Sequence, residues 1–174
     1  ERFRQRIDAI RRAEPNAVFR TNFIVGYPGE TEADHDELLA FVAEVGLDWC
    51  GVFPYSPEEG TYAATLDGAV PAGLVAERVA EVSELADGLT ARRRDRLVGE
   101  HMRVLVDEPG VARSWREAPE IDGIVEVPVE LAVGSLVDVE VTASAGTDLV
   151  AEPVGLADPW VRSAAAAPAV GAVP

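Results

Sequence analysis

Lysine does not occur in the 174 residues; all the cationic side chains are arginine, beside two histidines and one cysteine. With so much alanine in the chain, the missing lysine reads as the mark of a GC-rich genome rather than of chemistry. Cys50 has no second cysteine to pair with, which excludes an internal disulfide and fits a reducing cytosol. One cysteine and two distant histidines, His35 and His101, do not make a metal site, so no metal ligand is expected. No Ser/His/Asp grouping has supporting context either, and no catalytic residue is assigned. No apolar run approaches the roughly 20 residues of a membrane span, and the opening ERFRQRIDAIRR holds no apolar stretch of the signal-peptide kind. The chain therefore reads as soluble and cytoplasmic, without a membrane partner. Positive charge is also short: 31 acidic residues against 15 basic ones leave a net charge of −16. That argues against a general nucleic-acid binder, because neutralising phosphates needs clustered cations. Arg92, Arg93, Arg94 and Arg96 do cluster, but at a helix end, where they read as a solvated cap.

What is present falls into an ordered pattern. Residues 1–13 carry Phe3, Ile7 and Ile10 at helical spacing before Pro15 ends the run. Residues 17–26 form an apolar strand interrupted only at 20–22, of the kind buried in parallel sheets. Pro28 and Gly29 make a turn, and Thr31 with Asp34 caps a helix whose buried face is Leu38, Leu39, Val42 and Val45, with Gly46 as its stop. Residues 49–55 are the next strand, so the first part has the helix–strand–helix–strand rhythm of an α/β sheet. A long helix follows over 71–99, with Val75, Val79, Val82, Ala86 and Leu89 as one apolar stripe. After Gly99 the period changes to two: Met102, Val104, Val106, then Ile124, Val125, Val127, then Val137, Val139, Val141. This predicts a small antiparallel β unit, a five-stranded barrel. Residues 155–174, dominated by Ala, Pro, Val and Gly, read as a disordered tail.

Three segments bear candidate chemistry. In RTNFIVGYPGE, Phe23, Ile24, Val25 and Gly26 lead into a glycine-rich exit, where backbone approaches a ligand closely and Glu30 can accept hydrogen bonds. Alone, this is equally a tight strand-to-helix turn with a solvated carboxylate. In YSPEEGT, Tyr55 leaves the second strand at the sheet edge where α/β active sites collect; the plain alternative is a polar loop. In RSWREAPEIDG, Arg113 and Arg116 are able to grip carboxylates, while Glu117, Glu120 and Asp122 suit a basic partner around Trp115; the alternative is a charged loop on a barrel. His35 is expected on the polar face of its helix, His101 at the surface, and Cys50 in the core.

Taken in order, FIVGYPGETEADHDELLAFV, then a strand, then YSPEEGTYAA resemble the final strands and helices of the radical S-adenosylmethionine (SAM) domain of methylthiotransferases. Residues 71–99 resemble that family's connecting helix, and residues from about 100 to 154 its TRAM barrel. The resemblance implies a partial TIM-like α/β domain over residues 1–70, followed by a small all-β barrel. It implies SAM as cofactor, with Phe23, Ile24, Val25, Gly26, Glu30 and Tyr55 on its side of the site. It also implies two [4Fe–4S] clusters in the parent enzyme, one held by a CxxxCxxC motif that this chain does not contain. The chain is thus expected to be a C-terminal fragment or a truncated product, inactive alone, with an open sheet edge prone to aggregate.

APEIDG after an Arg-Ser pair resembles the branch that methylthiolates the β-carbon of an aspartate in a small-subunit ribosomal protein. Charge agrees: between Glu100 and Glu152, three arginines face twelve carboxylates, a net of −9. An RNA-docking barrel should be basic, whereas this one suits a basic ribosomal protein. Arg113, Trp115, Arg116, Glu117, Glu120 and Asp122 are then the expected substrate contacts. The family's aromatic closing strand is replaced here by Thr147-Asp148-Leu149-Val150-Ala151. The rivals are a tRNA methylthiotransferase fragment and a non-catalytic protein-binding module.

Overall fold

The computed structural model describes residues 2–155 and divides into two units, one up to residue 93 and one from residue 94 onward. The first unit is built from α1 (Arg2–Ala13), β1 (Arg20–Val25), α2 (Glu32–Val45), β2 (Trp49–Pro54), a short 3₁₀ turn at Ala63–Thr65 and most of α3 (Ala72–Asp95). β1 and β2 are parallel, in register from Arg20 opposite Trp49 to Val25 opposite Pro54. Parallel neighbours need a crossover, and α2 supplies it. Thr31 and Asp34 form a reciprocal capping box at its start, and Gly46 ends it with φ +56°.

Side chains alternate across a strand. Val25 packs with Val42, Val82 and Ala86, joined by Phe23, Leu38 and Leu39, while Ile24 and Phe53 stand exposed on the opposite face. The continuous apolar run at 17–26 predicts a strand covered on both faces. Among the described residues, helices cover one face only. α1 forms where Phe3, Ile7 and Ile10 recur at helical spacing but buries none of its own residues; it is tied down by Arg11, which donates to Val45 O at 2.6 Å and Gly46 O at 2.7 Å.

Two further expectations change on α2 and α3. His35 is not solvated: it is 2% exposed, and its Nε2 lies 3.0 Å from Glu81 Oε2. Positions 35, 38, 42 and 45 recur at helical spacing, so His35 extends the apolar stripe by one turn. On α3 the fully buried positions are Arg78, Val82, Ala86, Thr90 and Arg94, one every fourth residue. The helix is therefore no bare connector, because Val82 and Ala86 belong to the core of the first unit.

The second unit is a closed barrel of β3 (His101–Glu108), β4 (Val111–Arg113), β5 (Val125–Glu126), β7 (Asp148–Pro153) and β6 (Leu136–Ala145), in that order round the ring. Met102, Val104, Val106, Val137, Val139, Val141, Leu149 and Ala151 fill it from alternating positions. One pairing departs from the expected antiparallel plan: β5 and β7 run parallel. A closed ring of five strands cannot alternate direction all the way round, so one neighbouring pair must be parallel. Where the family's aromatic residues are missing, Leu149 and Ala151 close the interior. Of the expected tail at 155–174, all but Gly155 lies outside the described residues.

The barrel holds one buried ion pair. Arg94 Nη1 donates to Glu117 Oε1 at 2.5 Å, and Arg94 Nε donates to Thr147 O at 2.9 Å. The other Glu117 oxygen accepts from both N and Oγ of Ser114, each at 2.7 Å. Two calls are corrected here. Arg94 is not part of a solvated cap, and Glu117, 6% exposed, does not face a partner. Three donors around one carboxylate outweigh its hydration only if the carboxylate turns inward. Removing one member of such a pair strands a buried charge. Glu117→Ala should therefore lower stability by about 3–5 kcal/mol, while Glu130→Ala, on the exposed barrel surface, should stay within about 0.5 kcal/mol. Equilibrium urea unfolding of both variants checks this, and equal midpoints would refute it.

Candidate functional site

The exit from β1 is built from local chemistry. Tyr27–Glu30 is a β-turn closed by Glu30 N donating to Tyr27 O at 2.9 Å, with Pro28 at its second position and Gly29 at φ +85° at its third. Gly26 has φ +84°, and a Cβ there would stand 2.5 Å from Val75 Cγ2, so both backbone and packing require glycine. Glu30 is turned inward: Oε2 accepts from Gly26 N at 2.8 Å and Oε1 from Arg78 Nη1 at 2.9 Å. The carboxylate expected to meet a ribose or an amine is thus engaged with its own loop.

The other residues expected at the cofactor divide by strand alternation. The side chains of Phe23 and Val25 belong to the core, and Phe23 meets Phe41 edge-on at 6.2 Å. That leaves only their backbone for a ligand. Ile24 lies on the open face. There a cavity of about 460 Å³ is lined by Asn22, Ile24, Phe53, Tyr55, Ser56 and Thr61, among others. Its size falls within the range of small-molecule sites, about 300–1,000 Å³. It offers two apolar surfaces with an amide and two hydroxyls at the rim, a set that fits a nucleoside. Asn22, Phe53 and Ser56 were not singled out from sequence. For Asn22 the signal was its polar interruption of an apolar strand; it faces Gly51 across the sheet, where a Cβ would run into the Asn22 amide oxygen.

Tyr55 joins this cavity to a second, of about 670 Å³, lined by Gly26, Tyr55, Leu66, Val75 and Val79 among others. Its backbone N donates to Val25 O at 2.7 Å, its ring meets Tyr27 edge-on at 5.5 Å, and its hydroxyl is buried without a protein partner. Cys50 is half-buried; desolvation, aided by the charge of Asp87, pushes its thiol up to about 11. That is no poised thiolate.

On the barrel, the segment 114–124 is pinned at three points: Glu117 as above, Asp122 Oδ2 accepting from Ala118 N at 2.8 Å, and Gly123, where a Cβ would collide with Thr147 O. Between these pins Trp115 stands 56% exposed and Ile121 67%, with Glu120 on the same outer stretch. Arg116 lies over the Trp115 ring, 5.5 Å from its centre, and Arg113 pairs with Asp107 at 3.0 Å. A cavity of about 400 Å³ between the loop and β3–β4 is edged by Asp107, Glu108, Glu120 and Asp122. Among the described residues no group of His, Cys, Asp and Glu is arranged to hold a metal ion, and no helix is long and apolar enough to cross a membrane.

Residues 98–154 match the TRAM domain model. Nearly the whole chain is similar to proteins named ribosomal protein uS12 methylthiotransferase RimO. That of Streptomyces coelicolor is 44% identical, covering 94% of this chain and 35% of the relative. That of Saccharopolyspora erythraea is 47% identical, over 90% of this chain and 34% of the relative. That of Cupriavidus necator is 45% identical, over 86% and 36%. The matches run through both units, and the chain spans only about a third of the length of these relatives. By sequence, therefore, nearly the whole of this chain is similar to about a third of the length of the ribosomal protein uS12 methylthiotransferases.

Proposed function

We propose that the chain is the C-terminal part of a cytoplasmic radical SAM enzyme that adds a methylthio group to the β-carbon of an aspartate in ribosomal protein uS12. The observation that carries this reading is the match through both units to relatives of that name, at 44% identity for the Streptomyces coelicolor protein. The open face of β1–β2 supports it. A two-stranded parallel sheet with Ile24 and Phe53 exposed on one side asks for further strands and for an occupant of that side. In this reading residues 1–70 close a partial TIM-like barrel, and its interior is the face that carries Asn22, Ile24 and Phe53.

Ile24, Phe53 and the Val25–Gly26 backbone would hold SAM, which beside a reduced iron–sulfur cluster would supply radical chemistry at the substrate carbon. The chain's own contribution is to bind and orient. Ile24 and Phe53 offer the apolar platform for the adenine, and the Val25–Gly26 backbone passes close to it. Asn22 and Ser56 offer hydrogen bonds at the rim, and the buried Tyr55 hydroxyl offers a further one from within. Glu30 sets the turn. The chain does not fit the clusters. One protonated, half-buried thiol is no substitute for the several thiolates a four-iron cluster uses, so the cluster ligands belong to other parts of the parent enzyme. Cys50→Ala in the protein expressed at its full gene length should leave iron and sulfide content after anaerobic reconstitution unchanged; a drop of one cluster would refute this.

The barrel is proposed to dock uS12 through the 114–124 loop. Trp115 and Ile121 are the exposed apolar anchors, with Glu120, Glu108 and Arg116 around them; Arg113 and Asp122, engaged at the loop's base, support rather than touch. A net charge of −9 over 100–152 favours a basic protein over RNA. Incubating the reconstituted full-length protein with SAM, uS12 and tRNA, followed by mass spectrometry, tests the activity; methylthiolation of the tRNA alone would replace this reading with the tRNA branch. Trp115→Ala should weaken uS12 binding by about 1–3 kcal/mol, chiefly through faster dissociation, with the melting temperature unmoved. Glu108→Gln with Glu120→Gln should instead slow association and flatten its salt dependence. A lowered melting temperature with unchanged affinity for Trp115→Ala would make that residue structural and sink the contact.

A further inference from the structure

Arg78 is 3% exposed, yet it sits on the face of α3 that otherwise buries Val82 and Ala86. Its guanidinium divides between two carboxylates: Nη1 donates to Glu30 Oε1 and Nη2 to Glu32 Oε2, both at 2.9 Å. The two arms differ in surroundings. The Glu30 side chain is 12% exposed and the Glu32 side chain 72%, so the first contact is desolvated and the second is at the rim. A buried arginine–carboxylate pair is a weak source of stability, because desolvating both ions offsets most of their attraction, and apolar residues in the same place often serve as well. What this pair contributes is geometry. Glu30 holds Arg78 with one oxygen and the Gly26 amide, 2.8 Å away, with the other. The relay thus runs from a side chain of α3 to the first backbone donor after β1, at a glycine whose φ of +84° is one of several it can adopt and which the contact fixes.

We propose that Arg78 is a positioning residue for cofactor binding: through Glu30 it fixes the Gly26 amide and the Tyr27–Glu30 turn at the edge of the site, without touching the ligand itself. This rests on the reading of the β1 exit as the SAM side of the parent enzyme. Lysine cannot replace Arg78, because an ammonium on a flexible stem does not reproduce the planar, directional Nη1 contact that fixes the Glu30 carboxylate. Without Arg78 the Glu30 carboxylate turns outward to water, Gly26 N–H loses its acceptor, and the backbone beside the ligand relaxes.

The test uses the protein at its full gene length, with equilibrium dialysis against labelled SAM as the first readout and steady-state kinetics as the second. Arg78→Lys and Glu30→Gln should each raise the Kd and KM for SAM at least about fivefold, the scale on which a displaced supporting group weakens a binding site. They should leave kcat within about twofold, because the reacting groups are supplied elsewhere. Glu32→Gln, which removes only the exposed arm, should bind SAM as the wild type does. A merely structural Arg78 would show the reverse pattern: a lower melting temperature and a smaller active fraction, hence reduced apparent kcat, with KM and Kd unchanged. Arg78→Ala should exceed the lysine variant in its effect on Kd, and if it fails to fold, Arg78→Lys and Glu30→Gln decide the matter. Wild-type Kd for both would overturn the proposal. Failure of the wild type itself to bind SAM would overturn the underlying assignment of the site, a result distinct from the first.

Discussion

A guanidinium withdrawn from water needs a carboxylate to answer its charge, and α3 buries two of them, Arg78 and Arg94. Each sits in the seam where the helix would otherwise carry an alanine or a valine. Each reaches a glutamate turned inward, Glu117 buried and Glu30 partly so, and each glutamate in turn holds backbone: Glu30 the amide of Gly26, Glu117 the amide of Ser114. The two loops that bear candidate function are therefore set by the same device, a helix arginine acting on a loop carboxylate acting on a main-chain N–H. Within each unit the loop's geometry follows from satisfying that charge.

The parallel pair β1–β2 imposes the second constraint. A parallel strand pair with helices on one side leaves its other face without a partner, and strand alternation decides which residues that face carries. Ile24 and Phe53 come out exposed for no local reason; neighbours Phe23 and Val25 are as apolar, and the first is half-buried and the second buried. The same alternation divides a run of four expected cofactor residues into two core side chains, one open-face side chain and one glycine. A continuous apolar run gives no hint of this division, since both faces read alike in sequence.

On the barrel, charge and packing separate cleanly. The interior is aliphatic and closes without the aromatic residues of related closing strands, because Leu149 and Ala151 meet the Val137–Val139–Val141 face. The acidic surplus lies on the outside and in the 114–124 loop, apart from Glu117, whose charge the barrel takes inside together with Arg94. A net charge counts Glu117 with its neighbours, although only the neighbours are available to a partner. Trp115, by contrast, is held outward by pins on both sides of it, and an aromatic ring kept in water by a rigid loop is the usual form of an interface anchor.

The amino-acid sequence alone determined the order of elements, the capping box at Thr31 and the stop at Gly46, the change from helical to strand period after Gly99, the barrel's interior valines and the family resemblance. All of these depend on local rules: caps read three residues, periods read ten, motifs read in order. Tertiary structure alone decided which carboxylates are free and which are engaged. Glu30, Glu117 and His35 look solvated in sequence because their partners, Arg78, Arg94 and Glu81, lie 48, 23 and 46 residues away. Their spacing on the helices marked the buried face, with Arg78 and Arg94 in step with Val82 and Ala86. That step was outweighed by the rule that charge stays in water, which holds until a buried partner offers a better bond than water does.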